Sequence, residues 1–280
     1  MEKQCQSLRM TGADKAAHLR AAECFGRALV DDPTLNWLTD GKRPQVVVRF
    51  FTRVAHMSLR AIKDHRDCWQ LLPVVAAATD SNGAEATAAV APAVVCIGCE
   101  YPRHHPSDLR LLFNGLIPML AAVPSLRSLR FISETMDIMD LEKEAFHKAH
   151  GPFLYIACYG TEPGLQGRGL GSQLLQAVIA DAEERGIPLY LEANSPGSRR
   201  FYERHGFEML REIRAKPQAP PLFVMARLPS SRNQPRQQDA HAAVMGQQAG
   251  KAATVGAGAA ARRARNVSAL GSASSLQCSA

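Results

Sequence analysis

The chain has 280 residues, of which 46% are hydrophobic, and a formal net charge of +7. Its length allows one large domain or two small ones, and no apolar run reaches the roughly 18 residues of a membrane-spanning helix, so no membrane is expected as a partner. Six basic residues and one acidic residue lie beyond residue 228. The part before them therefore carries little net charge, which disfavours nucleic acid as its partner.

The first half of the chain alternates helical and strand patterns. Apolar residues at helical spacing, and β-rich runs on either side of the turn sequence DSNGAEA, indicate four helices and two strands. The helices are predicted over residues 14–30, 44–63, 107–122 and 125–147, and the strands over 68–78 and 87–99. Asp14 is the predicted cap of the first helix, and Pro44 suits the first turn of the second.

Cys96 and Cys99, in the second predicted strand, have the CxxC spacing of metal and redox sites. They lie within the apolar run AVAPAVVCIGC, and no second pair accompanies them. We therefore expect inert core thiols and no metal site. The odd number of cysteines and the absence of an apolar signal segment predict a reducing, cytoplasmic location.

From residue 150 onward the pattern becomes denser, with short apolar runs separated by two helical stretches. The strands are predicted over residues 153–160, 188–193, 207–213 and 221–228, and the helices over 169–185 and 199–206. Gly186 and Gly206 end the two helices. This alternation predicts an α/β chain with a single mixed sheet that is covered by helices.

The last stretch, residues 229–280, is rich in Ala, Gly, Ser and Gln and has no aromatic residue. Such a composition cannot bury enough apolar surface to offset the entropy of ordering, so a disordered basic tail is predicted. Its ARRAR cluster leaves one alternative open, a tail that binds nucleic acid.

Five glycines lie within GTEPGLQGRGLG, residues 160–171, just before a predicted helix. A helix N-terminus leaves free N–H groups that bind anions, and glycines let the backbone approach closely. A P-loop is excluded, because Leu170 and Gly171 stand where its lysine and hydroxyl residue would be. A dinucleotide fingerprint is disfavoured, because its third glycine would fall at Ser172 and only one βαβ unit is present.

The remaining pattern is Q-x-x-G-x-G, from Gln166 to Gly171. Together with LYIACYGTEPGLQGRG and PLYLEANSPGSRRFYERHGFEML, it resembles the GNAT superfamily of N-acetyltransferases, closest to the small-molecule branch that includes puromycin N-acetyltransferase. The resemblance is specific over residues 150–228 and matches in layout back to about residue 12. It implies a GNAT domain over 12–228, with a mixed, mostly antiparallel sheet flanked by helices and a helical insert before the fourth strand.

The resemblance also implies a reaction and its residues. The amine of an acceptor, here a small molecule, attacks the thioester of acetyl-CoA directly, an oxyanion forms, and the thiolate leaves. Tyr202 matches the tyrosine that protonates the thiolate. Glu192 is the best-placed carboxylate to act as a base through water, although a strand-end carboxylate bonded to backbone is an equal alternative. Glu100, His104 and His105 are outside candidates.

The coenzyme is expected to contact the end of the fourth strand, the glycine loop and the turn before the last helix. These residues are Tyr159, Gly160, Thr161, Gln166, Gly167, Arg168, Gly169, Leu170, Gly171, Asn194 and Ser195. A backbone N–H near Tyr159 to Thr161 would stabilise the oxyanion. The superfamily often has an asparagine seven residues before the tyrosine; here that position is Ser195, with Asn194 one residue earlier.

The acceptor pocket is expected in the parts that vary within the superfamily. The candidates are the Trp37 loop, the helix at 44–63, the loop at 100–106 and the helices at 107–147, with Met136, Ile138 and Met139 as lining residues. A protein or peptide N-acetyltransferase and a non-catalytic acetyl-CoA-binding module are the competing interpretations. The sequence specifies neither the acceptor nor the oligomeric state.

Overall fold

The computed structural model describes residues 5–38, 43–73, 91–117, 123 and 125–230. The predicted turn DSNGAEA lies outside these residues, and so does the predicted tail after Ser230. Both stay predictions.

Seven strands form one sheet in the order β1-β2-β3-β4-β5-β7-β6. The strands are β1 (Cys5–Arg9), β2 (Cys68–Pro73), β3 (Val94–Tyr101), β4 (Phe153–Thr161), β5 (Leu189–Ala193), β6 (Glu208–Ile213) and β7 (Leu222–Arg227). All neighbours are antiparallel except β4 and β5, which are parallel. The predicted mixed, mostly antiparallel sheet is thus confirmed. The sequence gives no signal for β1, because this edge strand is short and largely polar.

The described helices are α1 (Lys15–Ala28), α2 (Pro33–Leu38), α3 (Pro44–Ala61), α4 (Asp108–Leu111), α5 (Leu126–His150), α6 (Leu170–Arg185) and α7 (Pro196–Glu203). Asp14 caps α1 by accepting a hydrogen bond of 2.8 Å from the Ala17 N–H, and Gly186 ends α6 with φ of 63°. Both predicted boundaries are confirmed. The insert between β3 and β4 departs from two uninterrupted helices, because after α4 a wider turn follows in which Gly115 has φ of 125°.

The sheet carries a core on each face. The first core lies against α1, α3 and α5, and the second lies against α6 and α7. Side chains alternate between the two faces along a strand. Cys96 and Cys99 are three residues apart, so Cys96 belongs to the second core and Cys99 to the first. Both are buried, and burial raises the pKa of the Cys99 thiol to about 12. The predicted core thiols are confirmed.

The parallel strands β4 and β5 touch along a short length only. They pair at Leu154 with Leu189 and at Tyr155 with Tyr190. Beyond this point β4 continues beside β3, and β5 continues beside β7. The sheet therefore separates into two halves. We call the space between residues 156–161 of β4 and residues 191–193 of β5 the β4–β5 gap.

An extra residue distorts β4 where the gap begins. On β3, Ile97 faces Cys158 and Gly98 faces Ile156, so Ala157 has no partner. This β-bulge bends the strand, and Ala157 is exposed between two buried neighbours. The bulge thus helps β4 to leave β5.

Gly160 lets α1 lie close to the end of β4. A Cβ atom at this position would lie 2.7 Å from the Cβ of Ala28, a distance that packed side chains do not adopt. The substitution Gly160→Ala is therefore expected to lower the free energy of unfolding by about 1–3 kcal/mol, measured by urea denaturation.

The matched control is Gly164→Ala, because a Cβ there would meet nothing within 4 Å. Its free energy of unfolding should stay within about 0.5 kcal/mol of the wild type. Equal effects of the two substitutions would contradict the close approach of α1.

Candidate active site

The glycine loop before α6 is shaped for an anion. Gly167 and Gly169 have φ of 74° and 76°, in the left-handed region that favours glycine. A Cβ atom at either position would meet nothing within 4 Å, so conformation and not packing demands glycine there. No side chain within the described residues caps α6 at Gly169. The N–H groups of its first turn are therefore left for an anionic ligand.

Side chains from the loop and from β4 hold this loop in place. The Tyr159 hydroxyl donates to the carbonyl of Gly171 at 2.5 Å, and Gln166 Nε2 donates to the carbonyl of Thr161 at 3.1 Å. A Cβ at Gly171 would lie 3.1 Å from Thr161 Oγ1. Tyr159 and Gln166 thus position the loop with their side chains. Arg168 is exposed beside it.

Asn194 and Ser195, predicted to contact the coenzyme, have partners within the protein. The Ser195 hydroxyl accepts from the Ser198 N–H at 3.1 Å and caps α7. Asn194 Nδ2 donates to Asp32 Oδ2 at 2.6 Å, and Asn194 Oδ1 accepts from the Ser198 hydroxyl at 3.1 Å. Their contact with the coenzyme stays a prediction. What the structure gives them is a role in fixing the turn between β5 and α7.

The last turn of α1 and the residues after it contact both sides of the β4–β5 gap. Arg27 makes a two-pronged ion pair with Glu162, which follows β4, at 2.8 and 3.0 Å. Asp32 is buried and bonds to Asn194, which follows β5. These contacts fix the separation of the two strand ends. The sequence DDP contains this aspartate, but no local pattern indicated its partner 162 residues later.

Glu192 lies on the face of the first core, beside Tyr155 and Tyr190. Burial raises its pKa to about 7, while the Lys143 ammonium and the two tyrosine hydroxyls act in the opposite direction. Glu192 Oε1 and the Tyr190 hydroxyl are both buried, and neither forms a hydrogen bond of normal geometry within the described residues. The two hydroxyls thus influence the carboxylate without completing its hydrogen bonds. A carboxylate with a pKa near 7 is suited to act as a base at neutral pH.

Lys143, on α5, is a charged residue of this site that the sequence analysis missed. Its side chain is buried, its Nζ lies 2.7 Å from Asp140 Oδ1, and the same Nζ lies 4.6 Å from the centre of the Tyr155 ring. A lysine on an amphipathic helix normally indicates a solvated face. Only the packing of α5 against the sheet shows that this one is buried.

Tyr202 lies on the opposite face, in the second core. Its ring packs edge to face against Phe201 at 5.1 Å and against Tyr159 at 6.2 Å. Burial raises the pKa of its hydroxyl well above the ordinary value of 10. Tyr202 therefore keeps its proton at neutral pH.

The two predicted catalytic groups lie on opposite faces of the sheet. Glu192 lies with the first core, whereas Tyr202 lies with the second, near the glycine loop. The strands separate directly beyond Tyr155 and Tyr190, so the β4–β5 gap offers a path between the faces. Glu100, an outside candidate, is instead paired with Arg185 at 3.1 Å.

The residues predicted to line the acceptor pocket lie on α5 or pack against it. Trp37 packs against Phe131 of α5, with ring centres 5.2 Å apart. Ile138 and Met139 pack against the first core, whereas Met136 is 47% exposed. Trp37, Ile138 and Met139 thus contribute to packing, and their contact with an acceptor stays a prediction.

Residues 138–207 match the acetyltransferase (GNAT) family. The fold is similar to that of arylalkylamine N-acetyltransferase 2 from Aedes aegypti, at 14% identity and a TM-score of 0.51, over 81% of this chain and 100% of that one. A putative arylalkylamine N-acetyltransferase 7 from the same mosquito is similar at 14% identity and a TM-score of 0.53, over 80% of this chain and 87% of that one. The C-terminal condensation domain of Ebony, solved with beta-alanyl-dopamine, is similar at 8% identity and a TM-score of 0.51, over 80% of this chain and 99% of that one.

At these identities the similar structures show the fold alone. The family match covers the end of α5, the glycine loop and α7, which carry the site described above. The resemblance to the GNAT superfamily that the motifs predicted is confirmed over residues 138–207. The closer resemblance to the branch of puromycin N-acetyltransferase stays a prediction. No helix in the described part of the chain is long and apolar enough to cross a membrane.

The raised pKa of Glu192 has a consequence for stability. Between its ordinary pKa of 4.5 and the folded value of about 7, the folded state binds more protons than the unfolded state, so stability falls as pH rises through this range. The substitution Glu192→Gln removes the cost of a buried charge. It is expected to raise the free energy of unfolding at pH 8 by at most about 3 kcal/mol, measured by urea denaturation.

At pH 4.5 the same substitution should leave stability nearly unchanged, because the folded carboxyl is then protonated. The control is Glu208→Gln, an exposed carboxylate on β6. A gain in stability that is equal at both pH values, or one that Glu208→Gln also gives, would contradict the burial of Glu192.

Proposed function

We propose that the chain transfers an acetyl group from acetyl-CoA to a primary amine of a small molecule. One observation supports this most: the β4–β5 gap has an uncapped helix N-terminus on one face of the sheet and a buried carboxylate with a pKa near 7 on the other. Such an arrangement suits a ligand that binds by its phosphates on one face and reacts with a second ligand across the gap.

The residues present fit coenzyme A. The first turn of α6 offers free N–H groups for a pyrophosphate, and the open space beside Gly167 and Gly169 lets it approach. Arg168 adds a positive charge at the rim. Beyond Tyr155, no strand among the described residues pairs with the edge of β4 that faces β5, so its backbone groups are available to the coenzyme's amides. When bound, acetyl-CoA supplies the activated acyl group.

Tyr202 is proposed as the general acid. It lies on the face of the glycine loop, and burial keeps its hydroxyl protonated. A proton held at this position is available to the departing thiolate, and general acid catalysis of this kind contributes about 10²–10⁴-fold in rate. The phenol also packs between Phe201 and Phe207, which fixes its orientation.

Glu192 is proposed as the general base, on the face from which the amine would approach. Above a pKa of about 7 it is ionised and accepts a proton from the amine, directly or through water. Lys143 limits the rise of that pKa and is a positioning residue. The buried atoms Glu192 Oε1 and Tyr190 OH have no partner among the described residues, and such atoms are costly unless a ligand or water satisfies them.

A small acceptor is favoured over a protein. Helices α1, α3 and α5 cover the face that carries Glu192, and the contacts of Arg27 and Asp32 hold the end of α1 across the gap. A protein substrate would need an open groove at this place. Among the similar folds, two are named for arylalkylamines, which agrees with a small amine as acceptor.

The test is release of free thiol from acetyl-CoA with a panel of small amines. Tyr202→Phe is expected to lower kcat by about 10–1000-fold and to keep the Kd for acetyl-CoA. The pH dependence of kcat tests the proposed base. For the wild type, kcat at saturating substrates should rise as pH passes through about 7, because the base accepts a proton only in its ionised form. Glu192→Gln should lower kcat and remove this rise.

Tyr101→Phe, which removes a hydroxyl from β3 away from the glycine loop, is the matched control and should keep wild-type kcat. Wild-type kcat in Tyr202→Phe would exclude Tyr202 as the acid. Binding of acetyl-CoA without turnover of any amine would favour a non-catalytic binding module.

A further inference from the structure

A second cavity lies far from the β4–β5 gap. It has a volume of about 470 Å³ and lies between the start of α1, the end of α3 and the turn at His65. The side chains that matter there are Lys15, His18, His56, Arg60, His65 and Asn114. The 14 residues of α1 run from this cavity to the gap, which at 1.5 Å a residue is about 20 Å. The cavity is thus separate from the proposed active site.

The cavity is positively charged. Lys15 and Arg60 are exposed, and the side chain of neither forms a hydrogen bond or an ion pair with any residue in the described ranges. Among the described residues, no acidic side chain lines the cavity. Asp14 lies near His18, but its carboxylate already caps α1. The charges of Lys15 and Arg60 therefore face the space without a counter-charge from the described part of the chain.

Three histidines line the inner part of the cavity. His18 is buried, its ring stacks on that of His65 with centres 4.8 Å apart, and His56 contributes a third ring. His18 Nε2 lies 2.9 Å from the carbonyl of Thr11, and His65 Nε2 lies 2.7 Å from that of Leu59. Because a carbonyl only accepts, both rings carry a proton on Nε2.

The other ring nitrogen, Nδ1, is then the one that changes with protonation. In the neutral ring it holds a lone pair, and in the charged ring it becomes a second donor. Burial and the neighbouring positive groups lower the pKa of His18 and His56, so these rings are neutral at pH 7. An anion in the cavity reverses this balance, since it favours the charged ring.

A metal ion is not favoured by the same residues. No group of three potential ligands within the described part of the chain is placed to hold a metal, and the ammonium of Lys15 and the guanidinium of Arg60 would repel a cation. Arginine and lysine are the residues that proteins use for phosphate.

We propose that this cavity binds a small dianion of the phosphate-monoester class, held by Lys15, Arg60 and the imidazoles of His18, His56 and His65, and that binding takes up protons. Arg60 provides a planar pair of donors and Lys15 a point charge, while the imidazoles of His18 and His56 add donors as they are protonated. A phosphate concentrates two charges in one group, which matches two fixed cations that face one space. Asn114 is the neutral polar residue on the remaining side.

The experiment is isothermal titration calorimetry of the full chain with inorganic phosphate and with inorganic sulfate. Sulfate keeps its charge between pH 5.5 and 7.5, so any pH dependence of its binding belongs to the protein. We expect sulfate to bind about tenfold more tightly at pH 5.5 than at pH 7.5, with uptake of about one proton. The proton count follows from titrations in buffers that differ in ionisation enthalpy.

Arg60→Gln is expected to lower the affinity for both anions by about tenfold, since charge-assisted hydrogen bonds are lost. Its control is Arg49→Gln, another exposed arginine on α3, about 16 Å away along the helix. Arg49→Gln should bind like the wild type. Circular dichroism confirms that both variants fold.

Three results would overturn the proposal. One is the absence of saturable binding of either anion at pH 5.5. The second is an equal loss of affinity in Arg49→Gln, which would show that the anion responds to the overall positive charge of the protein and not to a specific site. The third is binding of sulfate without proton uptake, which would remove the histidines from the site. None of these results depends on acetyl transfer.

Discussion

The short contact between β4 and β5 determines the rest of the structure. Two residue pairs join these parallel strands, and then the strands separate. A parallel pair is normally covered on both faces and hydrogen-bonded along its length, so a separation in the middle of a sheet leaves backbone groups without partners. Those groups must be satisfied by a ligand or by water. The opened strands, and not a surface pocket, thus define where a ligand is expected.

Several features of the chain maintain this separation. The bulge at Ala157 bends β4 away, and the glycine at position 160 lets α1 lie against its end. Residues at the end of α1 then bond to both sides of the gap, through Arg27 to Glu162 and through Asp32 to Asn194. Strand alternation along β5 puts Glu192 on the face of the first core, whereas Tyr202, on α7, lies on the other face. The proposed chemistry follows from this division.

Much of the fold could be predicted because its signals are local. Asp14, Pro44 and Gly186 mark helix ends through capping and backbone conformation, and the glycine loop before α6 is a dense local pattern. The family motifs added the expectation of Tyr202 and Glu192 as acid and base; Tyr202 lies in the second core and Glu192 beside the first, and their catalytic roles stay predictions.

What could not be predicted depends on contacts between distant residues. The bond of Asp32 to Asn194, the burial of Lys143 and the cavity around His18 each join segments that are far apart in the chain. Strand β1 and helix α2 were missed because five and six residues give too short a pattern. For Asn194 and Ser195 the predicted contact with the coenzyme stays a prediction, and the structure adds what local similarity did not indicate: Ser195 caps α7, and Asn194 bonds to Asp32.

The most direct test of the account is hydrogen–deuterium exchange of the full chain with and without acetyl-CoA. Among the described residues, the β4 amides that face the gap and the amides in the first turn of α6 have no strand or helix partner, so they exchange readily in the free protein. The account predicts that acetyl-CoA slows exchange in residues 157–161 and 166–172, while residues 12–18 at the distant cavity stay unchanged. Unchanged exchange at the gap, or protection confined to the cavity, would contradict it.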